Sequence, residues 1–470
     1  MKASLRIYGI LAVLFFLASF LLQGCSSLPE ERKQTVPGNE TTQNSKNEKT
    51  KIQFAQWSVS SAKLVEKAIN GFNETNPDNI YVDVLKIPLD RYMETLNMLN
   101  SSGQGPDVYE TFREWLNSYM FKNYIADLTP FIGEDFLKQF PEWAIDIAQN
   151  PLYKGRFYAL PSNQITYRLV YNKDLFTSSG LDPERPPHTL EELKNSAKII
   201  SEYGKGKRKY GFALPLAEEW QGFVQRMEAV NGYSGVYFYN FMKGKYDLSV
   251  YKPWLSTFIE LNENGGLFPG METMKSELAL AQFAQGNIGM MYAASWEASS
   301  FLNQFPPTFD WGVALPPAID ASSAGRGAVA VNTAGWNVVN AGSAHINESV
   351  KVWKFLYSKD YLGELHKNHS AIPILGSILE NPEYFPADGN YKNYLPGKDD
   401  SIYPNTPMVM EEWKRKDAYS AALFKNRMDK VLDEDTNRLD SLLGMAVAAD
   451  TLSSKQYFDP GFDPKNPMKK

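Results

Sequence analysis

Apolar residues change their spacing four times between Ile52 and Thr111. Ile52 and Phe54 alternate with polar neighbours, the period of a half-buried strand that ends at Trp57. From Ser61 to Asn76 the apolar positions are Leu64, Val65, Ala68, Ile69 and Phe72, one face of a helix that Pro77 stops. Ile80, Val82 and Val84 then resume the alternation. Strand, helix and strand in this order predict a parallel pair with a right-handed crossover. A second helix through Tyr92, Leu96 and Leu99 is broken by Gly105-Pro106 before a third strand, Asp107 to Thr111. In open sheets of this kind ligands bind beyond the carboxyl ends of the strands. Gln56, Trp57 and Ser58 are therefore expected at a common crevice with Asp107 and Glu110.

Beyond this unit, Tyr153-Lys154-Gly155-Arg156 reads as a hairpin turn leading into a strand, Phe157–Leu160. Pro161–Gln164 reads as a loop, and Tyr167, Leu169 and Tyr171 alternate in the next strand. Thr189 and Glu192 have the spacing of a capping box over a helix with Leu190, Leu193, Ala197 and Ile200 inward. Helices and strands alternate again from Tyr210 to Tyr357, including a strand Ile288–Ala294 that runs into Ser295-Trp296-Glu297. Pro386–Pro407 reads as a long loop, followed by helices over Met408–Ala422 and Lys425–Ala449.

The amino terminus has a different pattern. Lys2 and Arg6 precede an uncharged apolar run from Ile7 to Leu22, then Gln23, Gly24 and Cys25, the layout of a signal peptide over residues 1–24. The run is short for a permanent membrane span and has no basic flank after it. Leu22-Gln23-Gly24-Cys25 resembles a bacterial lipobox, which marks Cys25 for lipidation and cleavage before it. A lipid on Cys25 would hold the protein at a membrane without spanning it. Residues 25–51 are polar and free of aromatic rings, so they cannot offset their ordering entropy and are expected to act as a tether.

Charge and composition narrow the chemistry. The 48 basic and 54 acidic residues give a net charge of −6, which argues against nucleic acid as a partner. The one cysteine excludes an intrachain disulfide framework and any cysteine-based metal site. His366 and His369 stand at i,i+3 spacing without a carboxylate partner, so no metal is expected. No phosphate-binding glycine loop, serine elbow or zinc-protease motif is present, and no cofactor is expected.

Several stretches, in order, resemble the extracellular solute-binding proteins of bacterial ABC importers, in the maltose-binding-like group. They are Gly71–Pro77, Gly103–Val108, Tyr153–Pro161 followed by Val170–Phe176, Thr189–Leu193, and Phe283–Met291 with Ser295-Trp296. The resemblance covers about Ile52 to Leu375 and weakens after Pro386. It implies an α/β fold of the periplasmic-binding-protein type (class II), with two lobes, a hinge and a ligand cleft between them. Residues 52–165 are then expected in lobe 1, and 166–385 mainly in lobe 2 with crossover segments. The remainder, 386–470, forms the loop and C-terminal helices. It further implies a monomer that captures a carbohydrate, here read as an oligosaccharide, and delivers it to permease subunits without chemistry of its own.

Sugars offer hydroxyls at their rims and C–H faces on which aromatic rings stack. Trp57, Trp220, Trp296 and Trp336 stand at strand ends or turns between polar neighbours, and are the cleft candidates among ten tryptophans. Trp115, Trp143, Trp254, Trp353 and Trp413 fall in helical patterns and are read as core or surface residues. Asp107, Glu110 and Glu297 are the carboxylate candidates, Asp107 with the equal alternative of capping or orienting the turn after Gly105-Pro106, and Asn163, Gln164 and Tyr167 lie in the stretch that resembles a lobe crossover. Arg326 lies among small residues that would let its side chain reach inward, with an ordinary surface-loop arginine as the equal alternative. Rival classes are a surface glycoside hydrolase using a pair such as Glu110 and Glu297, a helical glycan-capture lipoprotein, and a carbohydrate sensor sharing the same cleft.

Overall fold

The computed structural model describes residues 49–58, 61–149, 153–217, 224–387, 389–407 and 457–468, with 437, 440 and 441 between them. The expected signal peptide, Cys25, most of the tether, Trp220 and nearly all of the two C-terminal helices lie outside these residues.

Among the described residues fourteen strands run in chain order: β1 (Thr50–Ser58), β2 (Ile80–Pro88), β3 (Val108–Thr111), β4 (Asn163–Ile165), β5 (Tyr167–Asn172), β6 (Tyr210–Ala213), β7 (Tyr239–Asn240), β8 (Lys245–Tyr246), β9 (Ile288–Ala294), β10 (Trp311–Ala314), β11 (Val329–Ala334), β12 (Trp336–Val339), β13 (Ile372–Pro373) and β14 (Asp400–Ile402). Apart from the β7–β8 hairpin they form three four-stranded sheets.

The first sheet has the order β12-β3-β1-β2. β1 is parallel to both β2 and β3, as the βαβ pattern predicts. The helix Ala62–Thr75 buries Val65, Ala68 and Ile69, and it also buries Asn73. The Asn73 amide donates to the Val82 carbonyl at 2.9 Å and accepts the Val82 amide at 2.6 Å, so a side chain occupies backbone groups of the edge strand β2. Asn76 does the same for Ile80. These contacts blunt an edge that would otherwise be open to pairing.

The second sheet has the order β10-β5-β9-β6, with β5 antiparallel to β9 and β6 parallel to it. Its helix Leu190–Tyr203 is capped by Thr189, whose hydroxyl accepts the Glu192 amide at 3.2 Å. The Glu192 carboxylate accepts the amide of His188 at 2.7 Å, one residue earlier than the capping-box pattern implies.

Two apolar cores follow from these sheets. One holds residues 52–160 together with Trp336–Ile378 and Ile402; the other is built mainly from Leu169–Ala330, with Tyr391, Tyr394, Tyr403 and Tyr457. Trp353 anchors the first and Trp254 the second, both fully buried. The two lobes are joined by the third sheet, β13-β4-β11-β14. Two of its strands continue directly into the lobe sheets: β4 into β5 through Thr166, and β11 into β12 through Gly335.

Three local expectations are corrected here. Asn163-Gln164 belongs to a hinge strand rather than a loop, because it pairs with both β11 and β13. Phe157–Leu160 makes only an isolated bridge, Leu160 to Asn337. The Phe157 amide and carbonyl are taken by Thr129 Oγ1 and the Leu128 amide, which leaves no ladder to extend. The segment read as a loop after Pro386 contains β14, which pairs in parallel with β11.

Candidate ligand-binding crevice

Strand register fixes where the crevice lies. Thr111, the last residue of β3, pairs with Trp336, the first residue of β12 after the crossing at Gly335. Ala294, the last residue of β9, pairs with Tyr167, the first residue of β5 after the crossing at Thr166. Both lobe sheets thus turn their carboxyl ends toward the crossing strands, the place where open α/β sheets bind ligands.

On the first lobe, Trp57 is half-buried at the end of β1. Its ring stacks on Phe112 with centroids 5.1 Å apart and planes at 8°, and Tyr92 meets it edge-on at 5.2 Å. Phe112, directly after β3, was not singled out from the sequence; its place at the strand end after Thr111 was the available signal. Of Ser58 only the backbone is described, paired with Pro88.

Gln56 and Asp107 are corrections. Gln56 is only 4% exposed. The Asp107 carboxylate accepts the Gln53 amide at 2.8 Å and the Ser343 hydroxyl at 2.5 Å, so it braces β1 against the segment after β12 instead of facing a ligand. Glu110 is half-buried, and its Oε1 accepts the Gly335 amide at 3.0 Å. Burial pushes the Glu110 carboxyl up to about 8, with the Gly335 amide acting in the opposite direction. Its own carbonyl accepts the Tyr92 hydroxyl at 2.8 Å.

At the hinge, Asn163 is half-buried and its Oδ1 has no hydrogen-bond partner among the described residues. Gln164 is nearly buried, its amide donating to the Pro373 carbonyl at 3.4 Å. Trp336 and Tyr167 are further corrections, each 1% exposed. The Trp336 indole donates to Thr333 Oγ1 at 3.2 Å within the first core. The Tyr167 hydroxyl donates to Gln225 and its ring lies 5.5 Å from the Arg226 guanidinium, so it is held inside the protein.

On the second lobe, a single 3-10 turn, Ser295–Glu297, follows β9. Adjacent residues point opposite ways. Glu297 is fully buried: both carboxylate oxygens meet Arg226 Nη2 at 3.1 Å, Oε2 also accepts the Ala294 amide at 2.7 Å, and Oε1 accepts the Ser276 hydroxyl. The expectation of a ligand-facing Glu297 is therefore overturned. Trp296 is half-buried in a small cluster with Tyr167, Ala229, Ala294 and Val329, beside Tyr233, Ile165 and Leu315. Arg326 sits exposed on a loop with its Cβ beside Gly235, and does not reach inward.

The surviving candidates, Trp57, Glu110, Asn163 and Trp296, occupy the two sheet ends and the hinge. Rings at the strand ends and amides at the crossing offer apolar faces and hydrogen bonds to a polar solute. Among the described residues no group of histidines, cysteines and carboxylates could hold a metal ion.

Two lobes, crossing strands and a crevice at the strand ends define a hinged receptor that encloses a small solute. Residues 56–362 match the model of the bacterial extracellular solute-binding protein family, and the chain belongs to that family. A Brucella abortus binding protein is 25% identical over 326 residues, 69% of this chain and 75% of that protein. The sn-glycerol-3-phosphate-binding periplasmic protein UgpB of Escherichia coli K12 is 24% identical, over 66% of this chain and 71% of its own. Among solved structures, the ABC substrate-binding protein Lmo0181 of Listeria monocytogenes has a TM-score of 0.69 at 19% identity, covering 84% of this chain and 99% of that one. The GacH receptor of Streptomyces glaucescens gives the same four values. No helix among the described residues is long and apolar enough to cross a membrane.

Proposed function

We propose that this solute-binding protein captures a carbohydrate, an oligosaccharide, between its lobes and delivers it to the permease of an ABC importer. The observation that carries this reading is the placement of partly exposed tryptophans at both sheet ends. Trp57, stacked on Phe112, stands on one side of the crossing strands and Trp296 on the other. Rings on two lobes that close about a hinge suit the two apolar faces of a pyranose. The structurally similar Lmo0181 is in complex with cycloalternan, and GacH with acarbose, which supports the same class of ligand.

The enzyme alternative needs two carboxyls flanking a bond. Glu297 is held in an ion pair by Arg226 and lies away from the crevice, so the pair proposed from sequence lacks one member. A sensing role uses the same crevice. The Leu22–Cys25 pattern supports a lipid on Cys25, and replacing Cys25 by alanine is expected to release the protein from membranes.

A panel of mono- and oligosaccharides, scored by thermal shift and tryptophan fluorescence on the chain from Ser26, tests the carbohydrate reading. A stabilising hit without product release supports it. No hit across the panel, or sustained release of reducing ends, sinks it.

A further inference from the structure

Arg113 opens the helix Arg113–Phe121, directly after Phe112. It is half-buried, and burial lowers the pKa of its guanidinium. A buried guanidinium is ordinarily matched by a carboxylate, because leaving a charge in a poorly solvated place without its counter-charge is costly. Arg113 has no such match among the described residues. Among the described residues its hydrogen bond is an Nη2 donation to the side-chain carbonyl of Asn405, a neutral amide. Its Nε is buried and has no partner among the described residues. Glu114, next in the chain, acts on it through space, and the other groups acting on it are the phenols of Tyr237, Tyr153 and Tyr457.

These phenols come from both lobes. Tyr153 is part of the first core and donates to Asn117 at 2.9 Å. Tyr237 packs on the second core and stacks on Tyr403 at 4.3 Å, while Tyr457 is a member of that core. Asn405 also donates to the Ile147 carbonyl of the first lobe at 3.0 Å. The guanidinium therefore stands where the lobes approach each other, at the same strand end as Trp57 and Phe112. Glu110, three residues earlier, has its proton held by burial up to about pH 8, so at neutral pH it is a poor source of counter-charge.

We infer that Arg113 is an anion subsite of the crevice, and that the solute taken up carries an acidic substituent, a carboxylate or a phosphate. The inference rests on the carbohydrate reading of the crevice for the rest of the ligand and adds the charge. A guanidinium has five donors in a planar fork that matches either oxyanion, and among the described residues one hydrogen bond uses it. The chain as a whole carries −6, so an acidic solute would approach against the mean field, and a local unmatched cation supplies the specific attraction.

Calorimetry on the chain from Ser26 tests this with matched ligands: a neutral oligosaccharide, its uronate-bearing counterpart, its phosphorylated counterpart, and glycerol phosphate without a sugar. The wild type, Arg113→Gln and Arg113→Lys are compared at low and high salt. An acidic ligand is expected to bind about 10- to 100-fold tighter than the neutral one, the range for a charge-assisted hydrogen bond. The advantage should shrink with salt, collapse in Arg113→Gln and be partly retained in Arg113→Lys. The carboxylate and phosphate arms identify which oxyanion is read.

Equal affinity for neutral and acidic ligands, or an advantage that survives in Arg113→Gln, overturns the inference and leaves the carbohydrate reading standing. Glycerol phosphate bound through Arg113 with no saccharide bound does the reverse. No binding by any of the four overturns both. A merely structural tie between Arg113 and Asn405 would lower the melting temperature of Arg113→Gln and Asn405→Ala alike without changing the acidic-to-neutral ratio, and that result also overturns it. If Arg113→Gln does not fold, the wild-type salt dependence and Arg113→Lys decide the question.

Discussion

Oε1 of Glu110 accepts the backbone amide of Gly335 at 3.0 Å, tying the end of a lobe-1 strand to the residue through which the chain crosses between lobes. The carboxyl proposed for the ligand is thereby also bonded to the hinge, and its protonation state bears on that bond.

The pH dependence of stability follows from this carboxyl. Its pKa is raised from 4.5 to about 8 in the folded chain. Between these values the folded state keeps a proton that the unfolded state has lost. Its contribution to stability is thus fully present below about 4.5 and is lost as pH rises toward 8, at no more than about 1.4 kcal/mol per pH unit. Glu110→Gln should flatten this limb in urea titrations. His366, whose pKa is lowered from 6.5 by burial, has the opposite sign: its contribution is present above 6.5 and lost on acidification. His366→Gln is expected to flatten the acid side and leave the alkaline limb intact.

Gly335 has φ +66°, and a Cβ there would lie 1.9 Å from the hydroxyl oxygen of Ser162, a residue only 1% exposed. Gly335→Ala is expected to cost at least about 1–3 kcal/mol from the left-handed backbone and to misplace the crossing strand, so ligand affinity falls as well. Gly325 has a similar φ of +67° with nothing within 4 Å. Gly325→Ala should show the smaller cost and unchanged binding. Melting curves and calorimetry on both variants provide the comparison.

The buried pair Arg226–Glu297 makes a stability prediction. Removing Glu297 takes from the buried Arg226 a carboxylate that meets it with both oxygens, so Glu297→Ala should lose about 3–5 kcal/mol in denaturant unfolding. The double substitution Arg226→Met with Glu297→Leu should lose less than Glu297→Ala alone. The emission of Trp296, on the same turn, is expected to shift with the single variant.

Tryptophan substitutions should separate binding from folding. Trp57→Ala and Trp296→Ala remove half-buried rings and are each expected to weaken saccharide binding about tenfold with the fold kept. Trp353, fully buried with its indole donating to the Asn337 carbonyl at 2.8 Å, should instead cost about 3–5 kcal/mol on truncation to alanine. Fluorescence titration read beside chemical unfolding distinguishes the two outcomes.

The parallel unit from Thr50 to Thr111 was legible because strand and helix periods are set by residues within a few positions of one another. The Pro77 stop, the Thr189 cap and the position of Trp57 at a strand end are of the same kind. Neighbouring residues past β9 show where such reading ends. Ser295, Trp296 and Glu297 look equally poised for a ligand in the sequence, yet Glu297 turns inward because Arg226, 71 positions away, waits in the core. Asp107 is likewise claimed by Ser343, 236 positions on. Trp336 is buried because Gly335 lets β11 pass into the first sheet, and Asn163 becomes a hinge residue because β11 and β13 arrive on either side of β4. Local sequence thus determined the elements, their order and the ends at which a crevice opens. Which polar side chains remained for a ligand was decided by tertiary structure: distant donors take both oxygens of Asp107 and of Glu297, but only one of Glu110.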